Sequence, residues 1–162
     1  MKEIPLNKGM VALVDDCDYE LVANIPHKWY VRQRKYTNYA VARYKKDGRA
    51  YCIKMHRLIL GVEDNRILVD HIDGNGLNNT RNNIRQATVG QNNANRHKRK
   101  AGGLSKYKGV TPRYHKWAAF ISHNNKTLYI GIYDTEIDAA RAYNEKAREL
   151  FGEFARPNLL EV

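Results

Sequence analysis

Residues 67 to 92 constrain the fold more than any other stretch. Ile67-Leu68-Val69 is an apolar run suited to a strand, and it delivers Asp70 and His71 at its end. From Gly74 to Asn82 the chain is rich in Gly and Asn, the composition of a loop that uses left-handed backbone positions. Asn83-Ile84-Arg85 reads as a short strand. Thr88-Val89-Gly90-Gln91 then fits a capping box, with Thr at the N-cap and Gln three residues on, opening a helix that carries Asn92 in its first turns. The order strand, loop, strand, helix sets a carboxylate, an imidazole and two amides at fixed separations.

What precedes this run reads as short strands. They are Met10-Val11-Ala12-Leu13-Val14, Lys28-Trp29-Tyr30-Val31, Tyr39 to Tyr44, and Ala50 to Met55, the last two joined through an Asp47-Gly48 turn. His56 to Gly61 reads as a short helix with Gly61 as its stop. This part is expected to be a small sheet that buttresses the segment after it. Beyond Ala101-Gly102-Gly103, a plausible hinge, come strand candidates at Tyr107–Thr111, Trp117–Ser122 and Thr127–Ile132. Thr135 can cap a helix from Glu136 to about Leu150, with Asp138 completing the box and Ala139, Ala140, Tyr143, Ala147 and Leu150 on one face. The fold class expected is α+β, in two parts: a first domain over 1–96, a basic hinge over 97–104, and a second domain over 105–162.

Charge follows the same division. Between Gly74 and Tyr133 there is no Asp or Glu, while Arg81, Arg85, Arg96, Lys98, Arg99, Lys100, Lys106, Lys108, Arg113, Lys116 and Lys126 supply 11 cations. With 28 Lys+Arg and 17 Asp+Glu in the whole chain, the remainder holds 17 of each, so the net +11 is assigned to one stretch. Clustered cations in one half point to nucleic acid or another anionic surface. No apolar stretch approaches the ~20 residues of a membrane span, and the first residues lack a signal-peptide core, so a cytoplasmic protein is expected. Cys17 and Cys52 have no paired spacing and are read as small apolar side chains rather than a disulfide or a zinc site.

Cutting a phosphodiester needs a deprotonated nucleophile near neutral pH, stabilisation of charge at phosphorus, and help for the departing oxygen. His71 can take a proton from water, since an imidazole titrates near ~6.5. A hard cation held by oxygen can neutralise charge at phosphorus and the leaving oxygen, and the Asp70 carboxylate and Asn92 amide are oxygen donors suited to Mg²⁺ or Mn²⁺. A nuclease is therefore the leading reading. Asp73 reads as a turn residue before Gly74 rather than a ligand, and His56 as a packed or phosphate-contacting residue rather than a second base. His27, His97, His115 and His123 have no metal-like spacing and are read as surface or DNA-facing groups.

The residues from Val69 to Asn95, with Asp-His-Ile-Asp-Gly-Asn at 70–75, Asn-Asn-Ile-Arg at 82–85 and Gln-Asn-Asn at 91–93, resemble the HNH endonuclease family in its His-Asn-Asn variant, found in phage and intron-encoded homing endonucleases. The resemblance implies a ββα-metal finger with His71 as general base, Asp70 and Asn92 as metal ligands, and Asn83 as the amide that holds the loop and orients the site. It also implies products with a 5′-phosphate and a 3′-hydroxyl. Met55-His56-Arg57-Leu58 resembles the lead-in to this motif in phage members.

Residues 105 to 158 resemble the Apetala/ethylene-response-factor DNA-binding domain, on Tyr107-Lys108-Gly109-Val110, Lys116 to Ile121, Leu128 to Thr135, Ala139 to Tyr143, and Gly152 to Asn158. The resemblance implies a three-stranded sheet in the major groove of double-stranded DNA with a helix packed behind it. Lys108, Thr111, Arg113, Lys116, Phe120, Ser122, Thr127 and Tyr129 are then implied on the groove face, with Lys126 on phosphate and Trp117 and Tyr143 in the core. Thr111, Phe120 and Ser122 stand where the plant domains carry charged base-contacting side chains, so sequence preference does not carry over. Arg81, Arg85, Arg96, Lys98, Arg99 and Lys100 are expected as further DNA contacts. A monomer would nick one strand, and a DNA-induced dimer would cut both. The rival reading is a non-catalytic, sequence-specific DNA-binding regulator on a nuclease scaffold.

Overall fold

Ile4, Ala12, Val14, Val22, Trp29, Ala40, Ala42, Met55, Ile59 and Ile84 converge on the first core of the chain, and the elements that carry them follow from its short alternating runs. The computed structural model describes residues 1–98 and 104–160. It forms two compact units, Met1–Thr88 and Val89–Val162. Arg99 and Lys100, and the hinge residues Ala101 to Gly103, lie outside the described residues. Among the described residues no helix is long and apolar enough to cross a membrane.

In the first unit, β1 (Lys2–Pro5) pairs antiparallel with β2 (Val11–Val14), and α1 (Tyr19–Ala23) follows. Next, β3 (Trp29–Gln33), β4 (Asn38–Lys46) and β5 (Arg49–Lys54) form an antiparallel sheet in that order. Asp47 and Gly48, at φ 50° and 72°, make the turn that the Asp-Gly pair predicts. Helix α2 (Met55–Ile59) comes directly after β5, and Gly61 at φ 62° ends it. A separate two-stranded ribbon joins β6 (Leu68–His71) to β7 (Ile84–Ala87). The sheet was expected, but β1 and α1 were not.

The β1–β2 hairpin grips the loop between β6 and β7. Leu13 donates its amide to Leu77 O at 2.8 Å and accepts from the Asn79 amide at 2.8 Å. Arg81 closes the other side, with Nη2 2.7 Å from Asp18 Oδ1 and its backbone N–H 2.7 Å from Asp15 Oδ2. Trp29 Nε1 donates to Val22 O at 2.9 Å, so the buried indole is satisfied and α1 is tied to the sheet.

The second unit opens with α3 (Val89–Ala94). Strands β8 (Val110–Arg113), β9 (Lys116–His123) and β10 (Lys126–Tyr133) form an antiparallel sheet with β9 central, and α4 (Glu136–Phe151) packs on one face. Thr135 Oγ1 accepts the Asp138 amide at 3.1 Å, the cap the sequence predicts. Ala139, Ala140, Tyr143 and Ala147 are buried as their spacing requires. The first strand of this sheet starts at Val110, later than expected, because Gly109 adopts φ 77° and breaks the extended run. A Cβ at Gly109 would lie 2.2 Å from the Tyr143 ring, so this glycine also admits the aromatic core. Asn158 holds the tail: its amide N–H donates to Asn144 Oδ1 at 2.6 Å, and its Oδ1 accepts from the Lys108 amide at 2.6 Å.

Candidate functional site

Strand β6 ends in two buried polar residues, because alternate side chains there leave the strand on opposite faces. Asp70 stands in register with Arg85 on β7, and His71 with Ile84. Arg85 Nε and Nη2 lie 3.3 and 3.2 Å from Asp70 Oδ2, with the two side chains 12% and 6% exposed. Arg85, a residue expected on DNA, is thus an ion-pair partner of Asp70.

His71 Nε2 lies 3.2 Å from Asn79 Oδ1. The Asn79 amide is fully buried and its Nδ2 donates to Leu77 O at 3.1 Å, which leaves Oδ1 as the acceptor facing the ring. Nε2 therefore carries the proton, and Nδ1 bears the lone pair. Burial pushes the His71 pKa down from its usual value, against the Asn79 hydrogen bond and the charges of Asp73 and Asp70, so the ring is neutral at pH 7. His56 packs edge-on against it, ring centres 4.9 Å apart, and Tyr39 tilts over both. Burial, then the proximity of His71, Lys54 and Arg57, pushes His56 down to about 3, and its Nδ1 has no hydrogen-bond partner among the described residues.

Asn83 organises the loop. Its Oδ1 accepts from the Asp73 amide at 3.0 Å, and its Nδ2 donates to Asp73 Oδ1 at 2.9 Å and to Asn78 O at 2.8 Å. Asp73 also takes the Asn75 amide at 2.7 Å and Asn78 Nδ2 at 2.9 Å. Burial alone would raise the Asp73 carboxyl, but the hydrogen bonds from Asn75, Asn78 and Asn83 hold it below the usual range. Asp73 is a turn residue. Asn79 escaped the sequence reading because it is one of several Asn in a loop, and only the Leu13 bridge reveals why it is buried.

Asp70 and Asn92 offer oxygen atoms, a donor set that fits Mg²⁺ or Mn²⁺ better than zinc. Asn92 lies on α3, in the second unit. Among the described residues no group of three or more His, Cys, Asp or Glu stands ready for a metal ion. Asp70 and Asn92 each carry an oxygen donor of the kind a hard divalent ion accepts, the rest of whose shell would come from water and phosphate oxygens.

The face of the second unit's sheet away from α4 is set by register. Thr111 pairs with Ala118, Arg113 with Lys116, Phe120 with Tyr129, and Ser122 with Thr127. Thr111, Arg113, Lys116, Phe120, Ser122, Thr127 and Tyr129 therefore share one face, and Tyr129 is 55% exposed. Lys126 is exposed at the strand start. Lys116 Nζ lies 2.7 Å from Asp134 Oδ1. Lys108 does not join that face: its Nζ donates to Ala94 O at 2.6 Å and Arg96 O at 3.0 Å, and burial with the nearby Arg156 lowers its pKa to about 8. Two other expected DNA contacts are committed inside the first unit, Arg85 to Asp70 and Arg81 to Asp18, because each must neutralise a buried carboxylate. Lys98 Nζ donates to Ser105 O, and Arg96 is exposed.

Comparison with known proteins finds an uncharacterised HNH endonuclease of Acanthamoeba polyphaga mimivirus, 35% identical over 156 residues that cover 95% of this chain and 78% of the viral protein. An ethylene-responsive transcription factor of Arabidopsis thaliana is 43% identical over 60 residues, 35% of this chain and 14% of that protein. A dehydration-responsive element-binding protein of the same plant is 45% identical over 58 residues, 34% of this chain and 28% of that protein. No family model matches. The chain thus spans most of the viral relative and only a minor part of the plant proteins.

Proposed function

Since the chain belongs to the HNH endonuclease family, we propose that it is a divalent-metal-dependent, site-specific DNA endonuclease of homing type. The observation that carries this is His71, a buried neutral imidazole whose proton is held on Nε2 by Asn79, placed at a strand end beside Asp70. In this reading β6, β7 and α3 make the ββα finger. His71 Nδ1 takes a proton from water, the water oxygen attacks phosphorus as the bond to the 3′ oxygen breaks, and that oxygen takes a proton from solvent, leaving a 5′-phosphate and a 3′-hydroxyl. Asn83 keeps the loop closed so that Asn79 stays under the ring. Asp70 and Asn92 would hold Mg²⁺ or Mn²⁺, which supplies charge neutralisation at the phosphate and the leaving oxygen. The face of β8, β9 and β10 reads bases in the major groove, as the partial likeness to plant transcription factors suggests. One site per chain nicks one strand, and a DNA-induced dimer would cut both.

The Arg85–Asp70 ion pair favours a second reading, a DNA-binding regulator whose carboxylate is permanently occupied. A supercoiled-plasmid assay separates the two. With Mg²⁺ or Mn²⁺ the wild-type chain should produce nicked circles, and His71→Ala should lower the rate by at least ~100-fold while DNA binding persists. No nicking by the wild type under either ion, with binding intact, would establish the regulator.

A further inference from the structure

The sheet of the first unit, expected only as a buttress, has a cationic face. From Lys28 to Arg57 the sequence holds 10 Lys or Arg and one acid, Asp47. Whole-chain arithmetic hides this, because residues 1–27, 58–73 and 134–162 each carry a net charge of −3 and together offset it. Register sorts these cations by face. Arg32 pairs with Tyr39, Tyr30 with Val41, Lys54 with Val41, Arg43 with Cys52 and Lys45 with Ala50. Strand alternation therefore puts Arg32, Arg43, Lys45 and Lys54 on one face, and Lys46 with Arg49 on the other.

None of those four has an acidic partner among the described residues. Arg43 lies over the Tyr30 ring at 5.2 Å, which leaves its charge without a counter-ion. Lys54 is pushed below its usual pKa, by burial and by Arg57, with Arg32 and Arg34 adding to the same field. Four like charges on one sheet face repel each other, so the face is suited to a polyanion that neutralises them. It also leads to the candidate site. Tyr39, in register with Arg32 on this face, places its ring 5.8 Å from the His71 ring.

We propose that this face, through Arg32, Arg43, Lys45 and Lys54, binds the phosphate backbone of duplex DNA alongside the phosphate presented to His71. The proposal rests on the nuclease reading only for the identity of that phosphate. The N-terminal sheet then supplies part of the electrostatic affinity that charge counting gave wholly to residues 74–133.

The test compares two double variants of the full chain that remove equal charge from opposite faces, Arg43→Gln/Lys45→Gln and Lys46→Gln/Arg49→Gln. All four side chains are exposed, so both variants should fold, as circular dichroism would verify. Binding to a 30-base-pair duplex is measured across salt concentrations, with a duplex RNA of equal length as competitor. Each lost phosphate contact lowers the log-log salt slope by about 0.9, so the first variant should lose about 2 and the second clearly less. In nicking assays the first variant should need more DNA for half-maximal rate with its maximal rate unchanged. An unchanged slope, equal losses in both variants, or competition by RNA as strong as by DNA would each overturn the proposal. Slope loss in the first variant alone, with no nicking by the wild type, would uphold the face and remove the nuclease reading.

Discussion

Replacing Asn79 by Ala removes the acceptor that fixes the proton on His71 Nε2. A neutral hydrogen bond of 3.2 Å contributes about 1 kcal/mol net, which is about fivefold in rate if it is fully expressed in orienting the base. Loss of the whole base costs at least ~100-fold, so Asn79→Ala should fall between wild type and His71→Ala. The pH profile gives a sharper readout. In the native protein the Asn79 bond raises the His71 pKa against the larger lowering by burial. Without it burial acts less opposed, and the acidic limb of the nicking rate should move to lower pH while the plateau drops. Asn79→Asp reverses the sign, since a carboxylate at the same place favours the imidazolium and should move the limb to higher pH. Nicking of supercoiled plasmid from pH 5 to 9 measures both. If the limb stays put in both variants while the fold is retained, Asn79 does not govern His71 and the assignment of the basic nitrogen fails.

Three further outcomes follow from the geometry. His56 is buried neutral with its pKa pushed to about 3, so the unfolded chain binds a proton first as pH falls; below about 6.5 its stabilising contribution should be lost by about 1.4 kcal/mol per pH unit until pH nears 3, and His56→Gln should flatten the acid limb of a urea-melt series. Gly109→Ala combines φ 77° with a Cβ 2.2 Å from the Tyr143 ring and should destabilise the second unit by about 2 to 4 kcal/mol; a thermal melt that leaves this transition unmoved would refute the close approach. Arg113→Ala should alter preference at particular base pairs, costing roughly 1 to 3 kcal/mol there, whereas Lys126→Ala should weaken all sequences alike; binding across a randomised target distinguishes them.

The parts of the fold that were legible in the sequence are those governed by local rules. Asp47-Gly48, Gly61 and Thr135 each act within a few residues, and α4 declared itself through the spacing of Ala139, Ala140, Tyr143 and Ala147. The order of strand, loop and short strand that becomes β6 and β7 was legible from Ile67-Leu68-Val69 and from the Gly and Asn residues of the loop after it. Elements that depend on distant partners were not. Lys2–Pro5 looks like an unremarkable terminus until Val11–Val14 pairs with it. Asn79 differs from Asn75 and Asn78 only because Leu13 reaches it across the fold. Charge misled for the same reason. Arg81 and Arg85 count as free cations in a tally, yet each faces a carboxylate, while Arg32, Arg43 and Lys45 count as balanced although none of them has an acidic partner among the described residues.

The grip of Leu13 on Leu77 and Asn79, together with that of Asp15 and Asp18 on Arg81, bears on how such a module can be shuffled between genes. The segment carrying Asp70 and His71 leans on residues near the start of the chain, so a transplant beginning at Leu68 would leave the loop under His71 without its outer wall. The smallest portable cassette is therefore the whole of Met1–Thr88, and grafts cut closer should express as folded sheets with a slack loop. Recombination that keeps this loop intact is constrained on the N-terminal side of Leu68 far more than at the join to the second unit.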